Sequence, residues 1–98
     1  IEENRQYFTD EINRHFNGQI KIIESHATYL LWVDVRNITF NTTQLCEFIE
    51  EKTGLKIISG ENYHQNGFVR INIACPRQLL IDGINRFIQG IELFVKEK

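Results

Sequence analysis

The sequence predicts an α+β fold, a small mixed or antiparallel β-sheet with helices packed on one of its faces. Two observations carry this. Helix-like and strand-like periodicities follow one another in the order helix, short strand, strand, helix, strand, strand, helix. The two strongest strands each pair an apolar face with a face that mixes aromatic and polar groups, as in a sheet covered on one side.

Each element has its own signal. Glu2 to Phe16 reads as a helix because Phe8, Ile12 and Phe16 recur every four residues, and Asn17-Gly18 is a stop. Ile20, Ile22 and Ile23 form a short apolar segment suited to an edge strand. Tyr29 to Val35 is the strongest strand, with Tyr29, Leu31, Val33 and Val35 on one face and Leu30, Trp32 and Asp34 on the other. Asn41 can cap the next helix, and Gln44 stands where it can reach back. Leu45, Phe48 and Ile49 make that helix's apolar stripe, Lys52 suits its last turn, and Gly54 ends it. Leu55 to Ser59 is a short strand, Gly60 to Gly67 a polar loop, and Val69 to Ala74 another strand. Pro76 fits a helix start, where a missing N–H costs nothing. The last helix is marked by Leu80, Ile84, Phe87, Ile88, Ile91, Phe94 and Val95 at helical period.

Composition sets bounds on function. The chain has 98 residues, 42% hydrophobic, enough for one domain (1–98) with one modest core. Net charge is −2 with both signs scattered, so no nucleic-acid footprint is expected. No apolar run approaches the ~20 residues that span a bilayer, so no membrane role is expected. The start, Ile1-Glu2-Glu3-Asn4, has no basic segment or apolar core of a secretory leader, which favours a cytoplasmic location. The chain has no Met and opens in a charged, helix-like stretch, so we expect a piece of a longer protein. Cys46 and Cys75 match no metal or redox spacing and read as buried free thiols. His15, His26 and His64 are scattered without ligand spacing, so no metal site is expected.

The stretch Gly67 to Arg77, GFVRINIACPR, carries the most information about function. Alternation puts Val69, Ile71 and Ile73 on a core face, and Phe68, Arg70, Asn72 and Ala74 on the other. Asp34 repeats the theme of a charge on the second face of a central strand. The plainer reading is a solvated face. The sharper one is a ligand site with Arg70 aimed at a carboxylate or phosphate, since its fork makes two parallel hydrogen bonds to such groups. Trp32 and Phe68 among these charges favour contact with a ligand or another domain. Tyr63 and His64 lie in the loop just before the strand and can approach it, although exposed loop positions often carry such residues idly. No nucleophile arrangement or phosphate-binding glycine loop is present. Taken alone, the inventory describes a domain with one anion-binding arginine rather than an active enzyme.

The same stretch resembles the carboxylate-binding strand near the end of fold-type-I pyridoxal-phosphate (PLP) enzymes, and most closely the MalY/PatB-type carbon–sulfur β-lyases of the class I/II aminotransferase superfamily. The motif positions are Gly67, Phe68, Arg70, Asn72, Ala74, Pro76 and Arg77. A second block, Thr-Tyr-Leu-x-Trp-x-Asp, is matched by Thr28, Tyr29, Leu30, Trp32 and Asp34. An Asn-Arg-x-Tyr helix opening is matched by Asn4, Arg5 and Tyr7. A helix end and turn are matched by Lys52, Gly54 and Gly60. The resemblance runs in order along almost the whole chain. It departs in the loop, where Glu61 to Asn66 replaces the family's longer stretch with its aromatic-glycine pair.

The resemblance implies the C-terminal small domain of a PLP-dependent transferase fold, within a larger enzyme that is homodimeric through an upstream PLP-binding domain. Arg70 would grip the α-carboxylate of an amino-acid substrate such as cystathionine or cysteine, with Asn72, Trp32 and Tyr63 as further substrate-binding candidates. The lysine that holds the cofactor lies upstream in the family, and Lys21, Lys52, Lys56, Lys96 and Lys98 have no matching context. The chain alone is therefore expected to hold no cofactor and no catalytic residue, and to be inactive. The parent would release a thiolate from the substrate β-carbon, leaving pyruvate and ammonia. Two alternatives stand beside it: an aminotransferase on the same fold, and a stand-alone regulatory module that binds a small acid.

Overall fold

A computed structural model describes residues 2–24 and 30–97. Three helices, α1 (Glu2–Phe16), α2 (Thr42–Thr53) and α3 (Arg77–Lys96), cover one face of a four-stranded sheet. The strands are β1 (Lys21–Glu24), β2 (Leu30–Asp34), β3 (Ile58–Ser59) and β4 (Phe68–Asn72). They lie in the order β1-β2-β4-β3, and every pairing is antiparallel. The expected α+β fold with helices on one face is therefore present. Thr28 and Tyr29, part of the second motif block, and His26 lie outside the described residues.

The core follows the periodicities. Leu31 and Val33 of β2, Val35 just beyond it, Val69 of β4 and Ile73 point inward and are fully buried. Phe8, Ile12 and Phe16 of α1 meet them from the helical layer, together with Leu45 and Ile49 of α2 and Leu80, Ile84, Phe87, Ile88, Ile91 and Phe94 of α3. Val95 does not join them and is 48% exposed, although its neighbour Phe94 is buried. Asn17 (φ 49°) and Gly18 (φ 88°) end α1 in the left-handed region, as the stop signal implied.

Capping is partly as expected. The Asn41 side chain accepts from the Gln44 N–H at 3.1 Å. Gln44 does not complete a reciprocal box, since the Asn41 N–H donates to Thr39 Oγ1 instead. Gly54 closes α2 at φ 80° and donates to the Glu50 carbonyl. Arg86 of α3 donates to the Thr53 carbonyl and to Asp82, tying the two helices at that end.

Three strand expectations are corrected. The Leu55 to Ser59 strand shrinks to Ile58–Ser59, the two residues that find partners on β4. The last strand is Phe68–Asn72 rather than Val69 to Ala74, because the Asn72 side chain accepts the Ala74 N–H at 2.8 Å and turns the chain toward Pro76. Ile71 is only partly buried: with β3 so short, a cleft opens beside it. Cys46 is buried as expected, but Cys75 is only half-buried along that same cleft.

Candidate functional site

Antiparallel register sets up the helix-free face. Residues directly opposite one another on neighbouring strands share a face. Ile23 stands opposite Trp32, Trp32 opposite Arg70, and Arg70 opposite Ile58. One row therefore crosses all four strands, with Arg70 seated between Trp32 and Ile58. Ile23 and Ile58 are 44% and 41% exposed, so the platform around the guanidinium is apolar yet open. A charge on an apolar platform interacts more strongly with an incoming anion than one surrounded by water.

Tyr63 completes the group. It ends a 3-10 turn, Gly60–Tyr63, inside the segment expected to be a plain polar loop. Its ring lies 4.7 Å from the Arg70 guanidinium carbon and meets Trp32 edge-on, with centroids 6.0 Å apart at 78°. The aromatic face holds the cation without neutralising it. Among the described residues no carboxylate forms an ion pair with Arg70. Three of the four sequence-predicted residues, Arg70, Trp32 and Tyr63, thus converge.

Asn72 does not join this trio. It stands opposite Leu30, is exposed, and commits its side-chain oxygen to the Ala74 N–H. It does line, with Arg70, a cleft of about 280 Å3 floored by Phe8, Ile84 and Phe87. His64 is exposed, and its backbone, at φ 60°, closes the 3-10 turn.

Asp34 lies on this face as strand alternation placed it, opposite Phe68, with its charge already paired. It is 7% exposed and takes a two-pronged contact from Arg36, with Nε to Oδ1 at 3.0 Å and Nη2 to Oδ2 at 2.8 Å. The Arg36 N–H adds a third bond at 3.0 Å. The Arg36 hydrogen bond holds the Asp34 carboxyl below the usual carboxylate range. Arg36 in turn lies 5.1 Å above the Phe68 ring. This charge is satisfied within the strand end, whereas among the described residues no carboxylate pairs with Arg70.

Two features were not legible in advance. Glu61, in the 3-10 turn, accepts from the Thr43 N–H at 3.1 Å and from Thr42 Oγ1 at 3.3 Å, at the start of α2. The other is the joining of two motif blocks far apart in sequence. Asn4 Nδ2 donates to the Ile73 and Cys75 carbonyls at 2.9 Å each, and Arg77 Nε donates to Asn4 Oδ1 at 3.2 Å. Arg77 also covers the Tyr7 ring at 5.1 Å. These motif positions lock α1 onto the segment that follows the Arg70 strand.

The chain that folds into this one-sided antiparallel sheet matches a known family. The aminotransferase class I and II family model aligns with residues 1–87, and the chain belongs to that family. The protein MalY of Escherichia coli (strain K12) is 32% identical over 96 residues, covering 93% of this chain and 24% of MalY. The PLP-bound C-S lyase from Staphylococcus hominis superposes with a TM-score of 0.77 at 25% identity, over 92% of this chain and 24% of that one. A PLP-bound protein from Clostridium difficile 630, assigned as an aminotransferase, gives 0.82 at 28% identity with the same coverage. The chain thus spans about a quarter of the length of these relatives.

Proposed function

We propose that this chain is the C-terminal small domain of a PLP-dependent carbon–sulfur β-lyase, and that Arg70 binds the α-carboxylate of its amino-acid substrate. The observation that carries this reading is Arg70 itself: a cation without a carboxylate partner among the described residues, held on an apolar row and against Tyr63. The match to MalY supports the lyase reading, and the similar solved structures include both a C-S lyase and an aminotransferase. The share of those relatives that the chain covers supports a larger parent, with the PLP-binding part and a dimer contact upstream.

The residues on this face fit a carboxylate and not the cofactor. Lys56 is the one lysine along the cleft among the described residues, and its side chain is exposed and lies 3.9 Å from Glu50. When bound in the parent, the cofactor supplies an electron sink for charge that develops at the substrate α-carbon. The contribution of this chain is orientation. Two parallel N–H···O bonds from a guanidinium fix both carboxylate oxygens, and with them the rotation about the α-carbon. That selects which bond at that carbon is poised to break. Trp32 and Tyr63 restrict the guanidinium and keep water from one side of it.

The test uses the full-length enzyme with PLP and L-cystathionine, following pyruvate. Arg70→Ala is expected to cost about 2–5 kcal/mol of transition-state binding, because the substrate carboxylate is left without its partner. Arg70→Lys keeps the charge but loses the fork, and should fall between the two. Wild-type kcat/KM in Arg70→Ala would reduce Arg70 to a strand residue. Amino transfer to a keto acid without pyruvate release would favour the aminotransferase. A full-length protein with no bound cofactor would favour a small-acid-binding module.

A further inference from the structure

Arginine is a long side chain, and fixing it costs rotamer entropy. Its aromatic seat, Tyr63, is 45% exposed, so burial does not hold that ring in place. Its position comes from the 3-10 turn, and the turn is held at two points. Within the turn, Ser59 Oγ accepts the Glu61 N–H at 3.1 Å, and the Gln65 N–H donates to the Gly60 carbonyl at 2.7 Å. Outside it, the Glu61 carboxylate reaches across to Thr43 and Thr42 at the start of α2. At that end Asn41 takes the Gln44 N–H, and Glu61 takes the separate Thr43 N–H, so the tether joins the turn to the helix as a second cap. Ser59 belongs to the same cluster, with Thr42 Oγ1 at 2.7 Å and Thr43 Oγ1 at 3.3 Å.

We infer that Glu61 is a positioning residue, whose tether to the first turn of α2 fixes the 3-10 turn and so seats Tyr63 against Arg70 in the orientation that receives a carboxylate. The tether and the seat are only two residues apart within the same four-residue turn, Gly60–Tyr63. The Thr43 N–H, foremost among its partners, holds the Glu61 carboxyl below the usual carboxylate range, so the tether is charged at neutral pH. Preorganising Arg70 in this way removes an ordering cost from substrate binding. The inference rests on the carboxylate reading of Arg70 for its catalytic consequence, though not for the tether itself.

The experiment has two readouts in the full-length enzyme. One is the KM and kcat for L-cystathionine. The other is the emission of Trp32, which touches Tyr63, obtained by subtracting the spectrum of the matched Trp32→Phe protein. Glu61→Ala and Tyr63→Leu should each raise KM by about three- to tenfold with a smaller change in kcat, the scale of one lost cation–π seat. Both should shift the Trp32 emission. Glu61→Gln retains an acceptor oxygen for Thr43 and should stay near wild type in both readouts. Wild-type KM and unchanged Trp32 emission in Glu61→Ala, with only a lower melting temperature, would overturn the inference. Where Glu61→Ala does not fold, Glu61→Asp, one methylene too short to reach, takes its place with the same two outcomes. If Arg70→Ala keeps a wild-type KM while Glu61→Ala still shifts the Trp32 emission, the carboxylate reading fails and the tether stands.

Discussion

Arg70 and Asp34 lie on the same face of neighbouring strands, and their environments assign them opposite roles. Asp34 is spent on Arg36, and that pairing makes it a pH-dependent part of the fold. Its folded pKa lies below the unfolded one, near 3.9, so its stabilisation is present above about pH 4 and is lost as pH falls through the folded value. Asp34→Asn should lower the melting temperature at pH 7, and the gap to wild type should close in acid. A gap that stays constant from pH 7 to pH 2 would show that the charge contributes nothing. The two cysteines separate in the same manner. Burial, with Glu61 and Glu47 nearby, pushes the Cys46 thiol up to about 12, while Cys75 is half-buried at the cleft. A thiol reagent at pH 8 should label Cys75 first and Cys46 only on unfolding; equal rates would contradict this burial. Strand alternation made Arg70 and Trp32 legible as face-mates from sequence. Tyr63 could only be suspected, because its place depends on a turn anchored 18 residues away through Glu61 and Thr43, and no local pattern encodes such a bond.

Among the elements, the helices were read well and the short strands poorly, for a physical reason. A helix satisfies its own backbone, so its apolar period suffices to reveal it, whereas a strand ends where its partner does. Residues 55–59 have strand-like composition throughout, yet only Ile58 and Ser59 meet β4. Helix α3 offers a test of packing against propensity, because it contains two glycines in its interior. A Cβ at Gly83 would sit 3.8 Å from Leu55 Cδ1, an ordinary contact. Gly83→Ala should therefore stabilise by about 0.5–1 kcal/mol through helix propensity. A Cβ at Gly90 would come within 2.7 Å of Ile49 Cγ1 and 3.2 Å of its Cβ, where α2 and α3 meet. Gly90→Ala should destabilise by about 1–3 kcal/mol despite the same gain in propensity. Urea unfolding of the two variants compares them directly, and a shift of the same sign in both would mean the helices part more easily than this contact implies.

For the molecule as a whole, the helix-free face is the unfinished side. Ile23 and Ile58 flank Trp32 and Arg70 there with large apolar exposure. Separated from the parent we propose, the chain should give no pyruvate from L-cystathionine in the presence of PLP. It should also self-associate through this face at high concentration, and sedimentation showing a clean monomer would count against that. The bond between Asn4 and the segment at Ile73 to Arg77 bears on how the molecule comes to be made. Helix α1 packs chiefly on α3, more than sixty residues later in the chain. During synthesis at roughly 5–20 residues per second, α1 leaves the ribosome several seconds before its docking partner exists. Through that interval Phe8 lacks Phe87 and the rest of the α3 side of its contacts, so α1 settles late relative to its synthesis, and its apolar stripe is a surface a chaperone could hold.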